Sequence, residues 1–197
     1  MFRKNGSNAK NPKKPKKPFD SYTKYALSDT EIQRCLAVCN TTEKECIIKI
    51  GYTLGLRRSD MANIEIANID FLNHRISYTE EKKNGAVHTA PLSPDLEICL
   101  QKHINAGGRR KHLFENPSGS TMYRRFQEIL NDAEVKPVGR EARPFHALRG
   151  TCYKYWQRRG MPVEQIAELL GDTVETAMKH YGKATMTEIE TTMRNHK

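Results

Sequence analysis

His146 and Arg149 stand three positions apart in the run Phe145-His146-Ala147-Leu148-Arg149-Gly150-Thr151. On a helix that interval is close to one turn, so both side chains leave from the same face. Leu169-Leu170-Gly171-Asp172 follows, and then His180-Tyr181. A histidine, an arginine and a tyrosine gathered this way suit attack on a phosphodiester. A guanidinium offers a planar two-pronged donor to phosphate oxygens, an imidazole moves a proton near neutral pH, and a phenol serves as nucleophile. His-x-x-Arg alone is a weak signal, since any chain rich in both residues shows it.

The combined pattern is stronger: His-x-x-Arg-x-Thr, then Leu-Leu-Gly-x, then a tyrosine nine positions after that x. It resembles the tyrosine recombinases, the family of phage integrases and Xer-type recombinases. The resemblance covers roughly residues 25–185 and extends to Gly55-Leu56-Arg57, which is similar to the family's first arginine motif. It implies that Arg57 and Arg149 clamp one phosphate, with Asp60 holding the Arg57 guanidinium. His146 would be base and phosphate ligand, and Tyr181 the nucleophile that forms a 3′-phosphotyrosine. The family carries a lysine on a β-hairpin eight residues before a proline. Counting back from Pro91 gives Lys83, with Lys82 as a near rival; it would protonate the leaving 5′-oxygen. No nucleotide cofactor and no metal is implied.

Further expectations follow from the same resemblance. The partner is double-stranded DNA, with the protein a monomer when free and a tetramer on DNA. Arg124 and Arg125 are placed near the DNA backbone, and a C-terminal segment docks on a neighbouring subunit. Two departures stand out. Asp172 occupies a position where the family usually has His or Trp, and Gly150 replaces a frequent His or Arg. An ionised carboxylate accepts hydrogen bonds but donates none, and it repels phosphate. Asp172 is therefore expected to stay out of the site, to stay protonated or to mark reduced activity. The family's helical core-binding domain has only a basic tail in its place here, as in an excised catalytic domain or a short protein. Besides a site-specific recombinase, two readings stay open: a relative that binds DNA without cutting it, and a type IB topoisomerase-like nicking and relaxing activity.

The elements that must position these residues are legible in outline. Ser28-Asp29-Thr30-Glu31 is a capping box opening a helix with Ile32, Cys35, Leu36 and Cys39 along one stripe. A second helix starts near Glu43 and stops at Gly55. From Ile69 to Leu92 the pattern alternates, giving three short strands joined at Asn73-His74 and at Lys82-Lys83-Asn84-Gly85. Ser93-Pro94 starts another helix that ends at Gly107-Gly108. Residues 120–133 form an amphipathic helix with Phe126, Ile129 and Leu130 inward and Arg124-Arg125 outward. Gly160 breaks a helical hairpin, and residues 186–197 form a short helical tail with Ile189 and Met193 on one side. The expected fold is mixed α+β and mainly helical, a tyrosine recombinase catalytic domain with a small three-stranded antiparallel sheet. The domains read as a basic tail over 1–24, a catalytic domain over 25–185 and a C-terminal tail over 186–197.

The chain has 197 residues and a net charge of +10, enough for one sizeable core and indicative of a polyanionic partner. Lys13-Lys14-Pro15-Lys16-Lys17-Pro18 buries almost nothing and would add salt-sensitive phosphate contacts from Lys13, Lys14, Lys16 and Lys17. Five cysteines form no Cys-x-x-Cys pair, which predicts reduced thiols and a cytoplasmic setting. No apolar run is long enough for a membrane span.

Overall fold

The computed structural model describes residues 22–80, 85–139, 141–182 and 186–195. Helix α1 (Asp29–Ala37) starts at the expected capping box: Ser28 Oγ accepts the Glu31 N–H, and the Glu31 carboxylate accepts the Ser28 N–H. Helix α2 (Thr42–Leu54) is central, and every residue from Cys46 to Leu54 is buried. It packs against α4 (Pro94–Ala106), α5 (Gly119–Asp132) and α6 (Ala147–Arg158), which explains an apolar run too continuous for a one-sided helix. Gly55 ends α2 at a φ of 63°, in the left-handed region. A Cβ there would lie 2.4 Å from Leu170 Cδ2, so both backbone and space call for glycine. The chain turns at once into a short helix that the sequence pattern did not announce, α3 (Arg58–Ala62).

The sheet is three-stranded and antiparallel, in the order β1 (Ile69–Asp70), β2 (Arg75–Glu80), β3 (Ala86–Pro91). Its register pairs Ile76 with Ala90, Tyr78 with His88 and Glu80 with Ala86. Alternation along β2 buries Ile76, Tyr78 and Glu80 on one face. That rule places a carboxylate in the interior at the strand's end. Asp70 stabilises the first turn by accepting the N–H groups of Leu72 and Asn73.

Helix α6 leads through Gly160 to α7 (Val163–Leu170) and α8 (Val174–Tyr181), and α9 (Met186–Asn195) follows. Cys152, Tyr153, Ile166, Leu170, Ala177 and Tyr181 form a second apolar cluster where α6, α7 and α8 meet. The architecture is the mixed, mainly helical α+β fold expected. Among the described residues no helix is long and apolar enough to cross a membrane.

Candidate active site

Arg149, 2% exposed, lies where the ends of α2 and α7 converge. Its Nη1 donates to the Gly55 carbonyl at 2.9 Å and its Nη2 to the Leu170 carbonyl. Both carbonyls sit at helix C-termini, where backbone dipoles favour a cation. Nη2 also donates to Asp172 Oδ2 at 2.7 Å, and the Tyr181 phenol lies close enough to act on the guanidinium electrostatically. Burial works against the charge, but Tyr181 and Asp172 outweigh it and hold the group above its ordinary pKa.

Tyr181 is the last residue of α8 and is buried, its ring stacked on Tyr153 with centroids 5.5 Å apart. Its Oη lies 3.0 Å from His146 Nε2. His146 sits at the N-cap of α6 with helical backbone angles, so the one-turn spacing to Arg149 holds. His146 and Tyr181 thus meet beside Arg149.

Arg57 reaches the same point from the loop after Gly55. Its Nη2 lies 3.3 Å from Asp172 Oδ1, and its Nη1 pairs with Glu80. Asp60, expected to hold this guanidinium, is the more distant carboxylate at 3.7 Å. The direct partner is Glu80, which motif reasoning missed. Its only sequence signal is the alternation of β2, which turns a glutamate inward. Of the three alternatives for Asp172, staying out of the site does not hold, because its carboxylate bridges both arginines. The cause is local: Gly171 takes a φ of 63°, the Asp172 N–H bonds the Ala167 carbonyl at 2.9 Å, and Thr173 caps α8. The corner between α7 and α8 therefore aims residue 172 at the arginines.

The other predicted contacts divide. Lys82, Lys83, Lys13, Lys14, Lys16 and Lys17 lie outside the described residues. Arg124 is exposed and pairs with Glu128 at 2.7 Å one turn on. Arg125 does not face outward: it turns back to pair with Glu43 of α2 and is largely covered. Its position beside Phe126 on α5 gave no hint of a partner so far along the chain. A cleft of about 340 Å³ opens beside the cluster, lined by Arg57, Arg58, Ser59, Tyr123 and His146 among others. A more apolar groove of about 590 Å³, lined by Leu54, Leu92, Trp156 and Met161 among others, touches none of His146, Arg149 and Tyr181. Among the described residues no group of three or more His, Cys, Asp or Glu side chains is placed to hold a metal ion.

The sequence model of the phage integrase family matches residues 26–188. The chain is similar to the tyrosine recombinase XerA of Saccharolobus solfataricus, 29% identical over 146 residues that span 74% of this chain and 47% of the relative. Among solved structures it is similar to a XerA recombinase, with a TM-score of 0.74 and 18% identity over 87% of this chain and 65% of that one. It is also similar to the Tn1549 transposon integrase in complex with transposon right end DNA, with a TM-score of 0.63 and 16% identity over 88% and 66%. The chain spans about half the length of the curated relatives it matches. With the family's sequence model running through most of the chain and its fold around the cluster of Arg57, His146, Arg149 and Tyr181, the chain belongs to the phage integrase family, the tyrosine recombinases.

Proposed function

We propose that this chain is the catalytic part of a site-specific DNA recombinase that cleaves and rejoins strands through a 3′-phosphotyrosine. One observation carries the reading: Tyr181 Oη, His146 Nε2 and the Arg149 guanidinium meet in one polar cluster, with Arg57 drawn in through Asp172. In the reaction Tyr181 Oη bonds to phosphorus, the bond from phosphorus to the 5′-oxygen breaks, and the phenol proton passes to His146. Free phenol has a pKa near 10, so the attack depends on His146 to take the proton. Arg57 and Arg149 stabilise the charge gained by the non-bridging oxygens. Lys83, with Lys82 as alternative, protonates the 5′-oxygen as it leaves. The ester stays activated, so a 5′-hydroxyl from another strand reverses the step and exchanges strands. The complex of the Tn1549 integrase with transposon DNA supports duplex DNA as the partner. On DNA the protein works as a tetramer, and the exposed Met186, Ile189 and Met193 of α9 suit docking on a neighbouring copy.

The test is covalent trapping. The protein and its Tyr181→Phe variant are incubated with nicked duplexes from the flanks of its own gene and resolved on a denaturing gel. A shifted band for the wild type alone is expected. Its absence, with DNA binding retained, would favour the non-cutting reading, to which the Asp172 bridge gives a specific basis.

A further inference from the structure

The two arginines assigned to phosphate already hold an anion. Asp172 Oδ1 lies 3.3 Å from Arg57 Nη2, and Asp172 Oδ2 lies 2.7 Å from Arg149 Nη2. Two oxygens of one carboxylate thus engage two guanidinium groups, as two non-bridging oxygens of one phosphate would. Asp172 is not what fixes the arginines in place. Arg149 is anchored by the Gly55 and Leu170 carbonyls, and Arg57 by Glu80 and Asp60. The Asp172 backbone is itself held by the bond to Ala167, so the carboxylate leaves by rotation of its own side chain. Among the carboxylates around Arg57 its side chain is the most open, 11% exposed against 3% for Glu80 and 1% for Asp60.

We propose that Asp172 is an internal competitor for the scissile phosphate, occupying the arginine cradle in the free protein and displaced by DNA. This rests on the reading that Arg57 and Arg149 bind the phosphate of a DNA strand. The exchange conserves charge, one negative group leaving as another enters, whereas both together would repel within a few ångströms. Its consequence is selectivity. An isolated phosphate meets the carboxylate at full strength and loses. A phosphate carried by a duplex that the protein grips elsewhere arrives at high effective concentration and wins.

The test uses inorganic phosphate as probe, titrated calorimetrically into the full chain at constant ionic strength. Asp172→Asn keeps the side chain's shape and removes its charge. Its phosphate dissociation constant should fall about tenfold relative to wild type, the scale of one charge-assisted contact relieved. The gain should vanish when Arg57→Gln is added. Unchanged or weaker phosphate binding by folded Asp172→Asn overturns the proposal. If Asp172→Asn does not fold, Asp172→Ser takes its place with the same expectation. Failure of both to fold would show that Asp172 is needed to neutralise the arginines, and it too overturns the proposal. Phosphate binding does not require covalent chemistry, so the two readings separate. Tightened phosphate binding with no covalent trap would sink strand transfer alone, and a covalent trap with unchanged phosphate binding would sink the competitor alone.

Discussion

Three carboxylates surround Arg57, and their positions give them different work. Glu80 is 2% exposed and pairs directly with the guanidinium, Asp60 is buried 3.7 Å away, and Asp172 shares the arginine with Arg149. A carboxylate as deeply buried as Glu80 is tolerable only with a cation beside it, and removing one partner of such a pair is costly. Glu80→Gln keeps the shape and an acceptor but removes the direct ionic partner of Arg57. It should lower unfolding free energy by about 3 kcal/mol, at the lower edge for a broken buried pair because Asp60 and Asp172 remain. Urea unfolding followed through Trp156, the single tryptophan, measures this directly. A loss below about 0.5 kcal/mol, the size of an ordinary surface change, would mean that Glu80 does not anchor Arg57. The Tyr78 phenol supplies a second readout. Burial and then the Glu80 charge push its pKa up, so the variant should titrate at lower pH than wild type.

At the scale of elements, the ends of helices were the most legible part of the chain because their signals are local. Ser28 and Ser93 each cap a helix with a side-chain oxygen where the sequence signals one, and Gly55 closes α2 in the left-handed conformation. His146, Arg149 and Tyr181 were legible for the same reason, since each lies at or near a helix end whose spacing is regular. What could not be read depends on packing between distant segments. Glu80 meets Arg57 across 23 positions, Arg125 meets Glu43 across 82, and Asp172 meets Arg57 across 115. His103 is another such case, joining α4 to the start of α2. Its Nδ1 lies 2.8 Å from Thr42 Oγ1 and its Nε2 2.9 Å from the Leu113 carbonyl. Burial, reinforced by Arg110, lowers its pKa below the ordinary 6.5, although the Leu113 contact opposes the shift. Below about pH 6.5 the unfolded chain therefore binds more protons at this position than the folded one. The His103 contribution to stability is complete above the unfolded pKa and is lost as pH falls from about 6.5 toward the depressed folded value. His103→Gln should be less stable at pH 7.5 and should lose less between pH 7.5 and 5.5 than wild type. Parallel denaturant midpoints across that range would show that His103 does not titrate with unfolding.

For the whole molecule the distribution of charge matters more than its sum. Many of the cations among the described residues are committed: Arg57, Arg125, Arg143 and Arg149 each pair with a carboxylate, and Lys49 with two. Residues 1–21 carry seven basic side chains against one acidic, six of the ten excess positive charges. That imbalance was readable without any fold, because it depends on composition alone. Neutralising phosphates releases counterions, so each tail lysine on DNA should add about 0.9 to the slope of log affinity against log salt. Replacing Lys13, Lys14, Lys16 and Lys17 by glutamine in the full chain should therefore flatten that slope by about 3 to 4. Affinity at low salt should fall by the same factor for every duplex sequence, because phosphate contacts carry no base readout. Fluorescence anisotropy with two unrelated duplexes over a salt series reads both effects. An unchanged slope would remove the tail from the DNA interface, and a loss confined to one duplex would show that these lysines read sequence.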